Sequence, residues 1–283
     1  MTSHPPTSPP IPHAMTIAGS DSGAGAGIQA DLKTFAALGV YGTSVLTAVT
    51  AQNTVEVAAI AEVPEEVVIA QIDGVFEDIG ATAVKTGMLS GKTIIQNVAD
   101  RLEAWGPRWL VVDPVMMSKG GAPLLQRDAM GALKRDLLPF ASIITPNIPE
   151  AEILSGIKIA TGDDAREAAR KIHALGPRWV IVKGGHLDGP AVDLVFDGET
   201  FTPVEGERIQ TTNTHGTGCT FSAAIVALLA HGLEPLDAIR LAKRYIEAAL
   251  RDSYAIGEGH SPVNHFTPQA ASILADALAT VNR

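Results

Sequence analysis

The sequence predicts an α/β protein with a central, mostly parallel sheet covered by helices on both faces. Three observations lead there. Short apolar runs of strand length alternate with longer segments whose apolar residues recur at helical spacing. Two stretches, "EAWGPRWLVVDPV" (103–115) and "HALGPRWVIVKGG" (173–185), repeat the same order of helix end, Gly-Pro-Arg-Trp and strand. A single echo marks repeated αβ units rather than a solenoid. The 27 glycines and 18 prolines are dispersed, as tight strand-to-helix turns require.

In order along the chain, residues 14–19 read as a buried strand. "SDSGAGAG" (20–27) then turns into a helix in which Ile28, Leu32, Phe35 and Leu38 share a face and Gly39 is the stop. Residues 43–50 and 55–63 read as strands turned by "AQNT", followed by a helix over 64–78. A strand at 82–86 precedes a helix from Ser90, a strand covers 109–115 and a helix lies near 126–138. "SIITPN" is a short strand, with helices on both sides of "SGIKIATGDD". "WVIVKGG" is a strand again, "AVDLVFDGETFTPVEG" a hairpin turning at Asp197-Gly198, and the chain from 219 on is mostly helical. Residues 1–13, with five prolines, read as a disordered tail, and 14–283 as one domain.

The net charge is -10 with no basic stripe, so nucleic acid and anionic membranes are excluded as expected partners. A small anionic substrate is not excluded, because amides, a lysine and a metal reverse the field inside a cleft. The one cysteine, Cys219, permits no internal disulfide and no multi-cysteine metal site. No apolar stretch reaches membrane-spanning length, and a cytoplasmic setting is expected.

The echo also places chemistry. Asp113 and Lys183 fall at matching sites past the carboxyl ends of two strands, and Asn147 and Glu150 follow a third. Ligands of open parallel sheets bind beyond those ends. "TPNIPE" (145–150) reads either as a capping box or as a metal or phosphate site. Lys183 in "KGGH" has little reason for burial unless paired or bound to a ligand. Asp31 either complements its helix dipole or points into the cleft.

"GTGC" (Gly216, Thr217, Gly218, Cys219) opens a helix that is apolar nearly all round. Its first amides lack partners within the helix, and glycines let them approach an anion. That position also favours a thiolate, although the thiol taken alone reads rather as a small buried side chain at a tight turn. "SDSGAGAG" is either a substrate-hugging loop or a simple turn, and lacks the third glycine of a dinucleotide fingerprint. "GMLSGKT" (87–93) is one residue short of a P-loop, so Ser90 reads as a helix cap and Lys92 as solvated. His215 precedes Cys219 by four residues, but no triad partner accompanies them and a cysteine hydrolase is disfavoured.

Together "TIAGSDSGAGAGIQADLKTF", "TAVTAQNT", "KTGML", "VVDPVM", "ITPNIPEAEIL", "VKGGH", "NTHGTGCTFSAAI" and "PVNHF" resemble the hydroxymethylpyrimidine/phosphomethylpyrimidine kinases of thiamine biosynthesis, within the ribokinase-like superfamily. The resemblance covers nearly everything after the tail. It implies a three-layer ribokinase-like sandwich and two transfers of the ATP γ-phosphoryl group. The first goes to 4-amino-5-hydroxymethyl-2-methylpyrimidine and the second to its monophosphate. It further implies that Gln52 bonds the aminopyrimidine edge, that Met88 packs near the ring, and that Gly19 and Asp31 line the pocket. Lys183 would contact ATP phosphates, with Asp113, Asn147 and Glu150 arranging Mg²⁺ and its waters. Related sugar kinases place an aspartate where Cys219 stands, so the thiol is expected to have a route to partial ionisation near neutrality and to take the hydroxyl proton. The amides of residues 216–219 are the alternative source of the effect. A pyridoxal or pyridoxine kinase of the same branch and a non-catalytic vitamin-precursor binder are the competing readings. A homodimer and a lid within 186–210 are further expectations.

Overall fold

A computed structural model describes residues 11–118, 121, 123–126, 128–184 and 191–282. Its centre is a nine-stranded sheet. The strands are β1 (His13–Asp21), β2 (Tyr41–Gln52), β3 (Val57–Glu62), β4 (Ala83–Thr86), β5 (Trp109–Val112), β6 (Ile143–Ile144), β7 (Trp179–Val182), β8 (Asp193–Phe196) and β9 (Phe201–Val204). Their order is β3-β2-β1-β4-β5-β6-β7-β8-β9. The run from β2 to β7 is parallel, while β3, β8 and β9 pair antiparallel at the two edges.

Helices α1 (Gly27–Ala37), α7 (Thr217–Ala230), α8 (Pro235–Arg251) and α9 (Ala270–Val281) contribute to the core on one face. Helices α2 (Glu65–Asp78), α3 (Lys92–Trp105), α4 (Ala129–Ala132), α5 (Ile148–Ser155) and α6 (Gly162–His173) contribute to the core on the other. The strands divide themselves by alternation. Ala83, Trp109, Val111, Ile143 and Ile181 point to the first core; Val84, Leu110, Val112, Ile144 and Val180 point to the second. Both faces are therefore buried, which is why the central strands read as unbroken apolar runs.

The expected elements are present, with local differences. β1 begins at His13, inside the stretch read as tail; residues 1–10 lie outside the described residues. β5 ends at Val112; the Asp113 amide still bonds Thr86 O, and Pro114 has no N–H with which to extend the ladder. The helix expected near 126–138 is α4 continued by a π-type turn (Leu133–Leu137) and a 3-10 turn (Leu138–Phe140). The β8–β9 turn spans four residues rather than two, since Phe196 pairs Phe201 and Asp197 Oδ1 accepts from the Glu199 and Thr200 amides. Ser90 is not a helix cap: Gly91 holds that place, and Ser90 sits at φ 62 with its hydroxyl bonded to Glu62. Lys92 is exposed, as expected. Of the lid stretch, residues 186–190 lie outside the described residues and 193–204 form the β8–β9 edge.

β1 is followed by β2 on one side, whereas β4 to β7 build outward on the other. The sheet thus reverses direction between β1 and β4. A crevice opens at such a switch point beyond the carboxyl ends of the strands.

Candidate active site

Gly19 and Met88 meet at this switch point. A methyl group on Gly19 would sit 3.2 Å from Met88 Sδ, so the absence of a side chain there is what lets the thioether lie across β1. Met88 is buried.

Two glycine turns interlock beside it. Gly216 (φ 76) caps α7 in the left-handed region, and a methyl group there would fall 1.8 Å from Gly25 O. Backbone packs directly on backbone. Thr217 N and Oγ1 both bond Thr214 O, and Thr220 N bonds Gly216 O. Among the described residues the Gly218 and Cys219 amides meet no protein acceptor. They are the orphan donors of a helix start, at its positive end.

Charged groups converge on the same turn. A methyl group on Gly218 would sit 3.4 Å from Lys183 Nζ and 3.8 Å from Asp113 Oδ2. Lys183 Nζ lies 3.3 Å from Asp113 Oδ1, while Thr145 and Ser222 donate hydroxyls to the same carboxylate. Burial would raise Asp113, but Lys183 and Lys85 hold it below the ordinary carboxylate range. Asn147 and Glu150 form a complete capping box on α5, and Asn147 bridges the Lys183 backbone. Both readings of "TPNIPE" are therefore compatible: the cap brings Glu150 to the cleft edge. Burial pushes Glu150 up to about 7, with Asp113 adding to the effect and Lys183 opposing it.

Asp31 is not at a pocket surface. It is sealed beneath it, with Lys85 Nζ 2.8 Å from each oxygen and Thr16 Oγ1 2.6 Å from Oδ2. Lys85 was not singled out from sequence, although the argument applied to Lys183 finds it too: a lysine in a strand buried along its length needs a partner. A methyl group on Gly87 would sit 3.3 Å from its ammonium, which is fully buried. Cys219 feels this pair. Burial pushes the thiol up to about 11, with Asp31 and Asp113 adding to the shift and Lys85 and the Gly27 amide opposing it. This direction runs against the expected partial ionisation, because desolvation of the half-buried thiol opposes the helix terminus.

Gln52 ends β2 on the other wall and lies 3.4 Å from His215, which bonds Asp21 at 2.9 Å. His215 therefore turns to Asp21, in keeping with the disfavoured hydrolase reading. Asp21 was not singled out from sequence, and His215 only for its spacing from Cys219; both lie inside the two glycine turns.

Among the described residues no three His, Cys, Asp or Glu side chains gather to hold a metal by themselves. Magnesium that arrives with nucleotide phosphates needs only one or two carboxylates and keeps waters. Asp113 and Glu150 meet that demand, and a nearby cation would favour the charged form of Glu150 that burial opposes.

Unpaired amides that accept an anion end-on, beside an ammonium group and two carboxylates, suit the movement of a phosphoryl group, and the fold and site together define a small-molecule kinase. The family model described as phosphomethylpyrimidine kinase matches residues 21–264, and the chain belongs to that family. The chain is 53% identical over 259 residues to the hydroxymethylpyrimidine/phosphomethylpyrimidine kinase of Rhizobium meliloti, covering 89% of this chain and 96% of that one. It is 54% identical over 252 residues to the thiamine biosynthesis bifunctional protein ThiED of Geobacter sulfurreducens, covering 89% of this chain but only 51% of that longer protein. Among solved structures, an ADP complex of Bacillus subtilis pyridoxal kinase superposes with a TM-score of 0.86 at 42% identity, covering 91% of this chain and 98% of that one. The sheet and its helices are thus ribokinase-like.

Proposed function

We propose that this chain transfers the γ-phosphoryl group of ATP to the hydroxymethyl oxygen of 4-amino-5-hydroxymethyl-2-methylpyrimidine, and then a second phosphoryl group to the resulting monophosphate. The observation that carries this is the turn at Gly218, beside Lys183 and Asp113, whose Gly218 and Cys219 amides meet no acceptor among the described residues. The names of the relatives support the substrate.

In this reading the ring lies between Met88 and the β1 turn at Gly19, with Gln52 on its polar edge. Asp31 acts from beneath, holding the Lys85 ammonium at the pocket floor. The hydroxymethyl oxygen attacks the γ-phosphorus, the bond to the bridging oxygen breaks, ADP leaves, and the hydroxyl proton passes to an oxygen of the transferred phosphoryl group and on to solvent. The Gly218 and Cys219 amides and Lys183 stabilise the charge on the moving group. Magnesium bound with ATP would offset phosphate charge, held by Asp113 and Glu150 with Asn147 fixing the latter. A thiol pushed up to about 11 is no preformed base, so placement and charge neutralisation dominate the first step. In the second step the attacking phosphate oxygen is already anionic.

Incubation with Mg·ATP and the hydroxymethylpyrimidine is expected to yield mono- and then diphosphate, with one ADP per step. Absence of ADP release with that substrate would refute the proposal. The similarity to a pyridoxal kinase favours one second reading, phosphorylation of pyridoxal; the ratio of kcat/KM for the two substrates decides between them. Ligand binding in a calorimeter without turnover would instead identify a non-catalytic binder. The same proposal includes one kinase domain over 14–283 and a cytoplasmic location. It also includes a homodimer through β3, an edge strand with five of its six residues exposed; sedimentation tests the dimer.

A further inference from the structure

We propose that Asp193 is a positioning residue: its carboxylate, held by Lys243, fixes the main chain at Gly184 and so aims the ammonium of Lys183, the residue before it. The proposal rests on Lys183 meeting the moving phosphoryl group, as in the function proposed above.

β7 and β8 pair antiparallel, with Val182 opposite Leu194. In that register the next residues to face each other are Lys183 and Asp193, and the β7–β8 ladder ends before them. A side chain takes over there. Asp193 Oδ1 accepts from the Gly184 amide at 2.9 Å. Gly184 is also pressed against the start of β8, because a methyl group on it would overlap Val192 O. On the other side the Lys183 amide donates to Pro146 O at 2.9 Å, next to the Asn147 cap of α5. The main chain around Lys183 is therefore held from two directions, by a carbonyl on the β6 side and by one carboxylate on the β8 side.

That carboxylate is itself fixed. Asp193 is buried, and a buried carboxylate needs a cation. Lys243 of α8 supplies it, with Nζ 2.8 Å from Oδ2 and the two side chains only 9% and 5% exposed. The lysine stem has little freedom, because a methyl group on Gly206 would overlap Lys243 Cε and Glu247 Oε1. The chain after β9 thus lies directly on it. The two oxygens of Asp193 divide the work: Oδ2 is anchored to α8, and Oδ1 is held on Gly184.

Lys183 needs such a hold. Its ammonium lies 3.3 Å from Asp113 Oδ1, and a methyl group on Gly218 would sit 3.4 Å from it. A lysine is a point charge on a flexible four-carbon stem, so its reach depends on where its own main chain is placed. Stabilisation of a moving phosphoryl group falls steeply when the charge is misplaced. A pin that only joined β8 to α8 would be indifferent to whether Gly184 finds an acceptor.

The test compares two variants that both lack the ion pair. Asp193→Asn with Lys243→Met keeps an oxygen for the Gly184 amide; Asp193→Leu with Lys243→Met keeps none. With Mg·ATP and the hydroxymethylpyrimidine, kcat of the Leu variant is expected to lie at least about tenfold below that of the Asn variant, with KM for the pyrimidine differing by less than about threefold. Lys183→Met is then added to each. Its cost in kcat is expected to be at least about tenfold smaller in the Leu background, where the ammonium is already misplaced. Equal kcat in the two variants, or an equal cost of Lys183→Met in both, would overturn the proposal and leave Asp193 a pin of the fold. If the Leu variant does not fold, Asp193→Glu decides. It keeps the charge for Lys243 and moves the acceptor by one methylene, and kcat is expected to fall about tenfold; an unchanged kcat overturns the proposal. No ADP release by the wild type with the pyrimidine would sink the proposed function, and this proposal with it.

Discussion

At the residue scale, the upward-shifted thiol and the sealed ion pair make separate predictions. With Cys219 pushed up to about 11, Cys219→Ala removes volume above the amides rather than a base. Both phosphorylation steps are expected to slow by similar factors, read from single-turnover rates; a much larger loss in the first step would restore the thiol as proton acceptor. Lys85→Met leaves the Asp31 carboxylate buried without its cation, and unfolding free energy in urea is expected to fall by about 3–5 kcal/mol. Adding Asp31→Leu to that variant is expected to recover part of the loss, because the uncompensated charge is then gone. Lys85 also shows where sequence reading stops. Its burial follows from its strand, but the identity of its partner does not, since Asp31 lies 54 residues away on a helix.

At the scale of elements, α7 is tied to α8 and to the segment before α9 through His265. Its ring nitrogen meets Thr220, in the first turn of α7, at 3.1 Å, and its carbonyl accepts from Tyr245 on α8 at 2.7 Å. Burial lowers the imidazole from 6.5 to about 4, with Lys33 and His215 adding to the effect. A histidine depressed in the folded state favours the unfolded chain once protonated. Its contribution is complete above the unfolded value of 6.5 and is lost as pH falls toward 4. Thermal stability is expected to drop over that window by up to about 3 kcal/mol, and His265→Gln is expected to flatten the drop. Helix periods and caps were legible here, because Asn147, Glu150 and Pro149 are local signals. The Ser90 assignment failed because Glu62, on another strand, captures its hydroxyl.

At the scale of the whole molecule, the alternation of strands and helices was enough to read the layers, and the repeated Gly-Pro-Arg-Trp was enough to bring Asp113 and Lys183 together. The position of the site was less legible. It depends on the strand order, with β4 rather than β3 beside β1, which no local pattern states. A ligand bridging the switch point touches β1, β4 and α7 at once and binds only the folded chain. Hydroxymethylpyrimidine with a nonhydrolysable ATP analogue, each at 100 times its Kd, is expected to stabilise the protein by more than either alone, each contributing about 2.7 kcal/mol, visible as additive Tm shifts. Failure of additivity, with the pair stabilising no more than the better ligand alone, would show that the two compete for one site.

The contact of Gly216 with Gly25 O has a consequence for how such a protein can change. In the proposed function the turn at 216–219 meets phosphate with main chain, so that part of the site offers mutation almost no handle: any side chain at Gly216 strikes the neighbouring turn. The opposite wall, with Met88 and Gln52, is built from side chains and can be rewritten one residue at a time. Retuning toward a new vitamin-like ring should therefore begin on that wall, with the transfer chemistry left undisturbed.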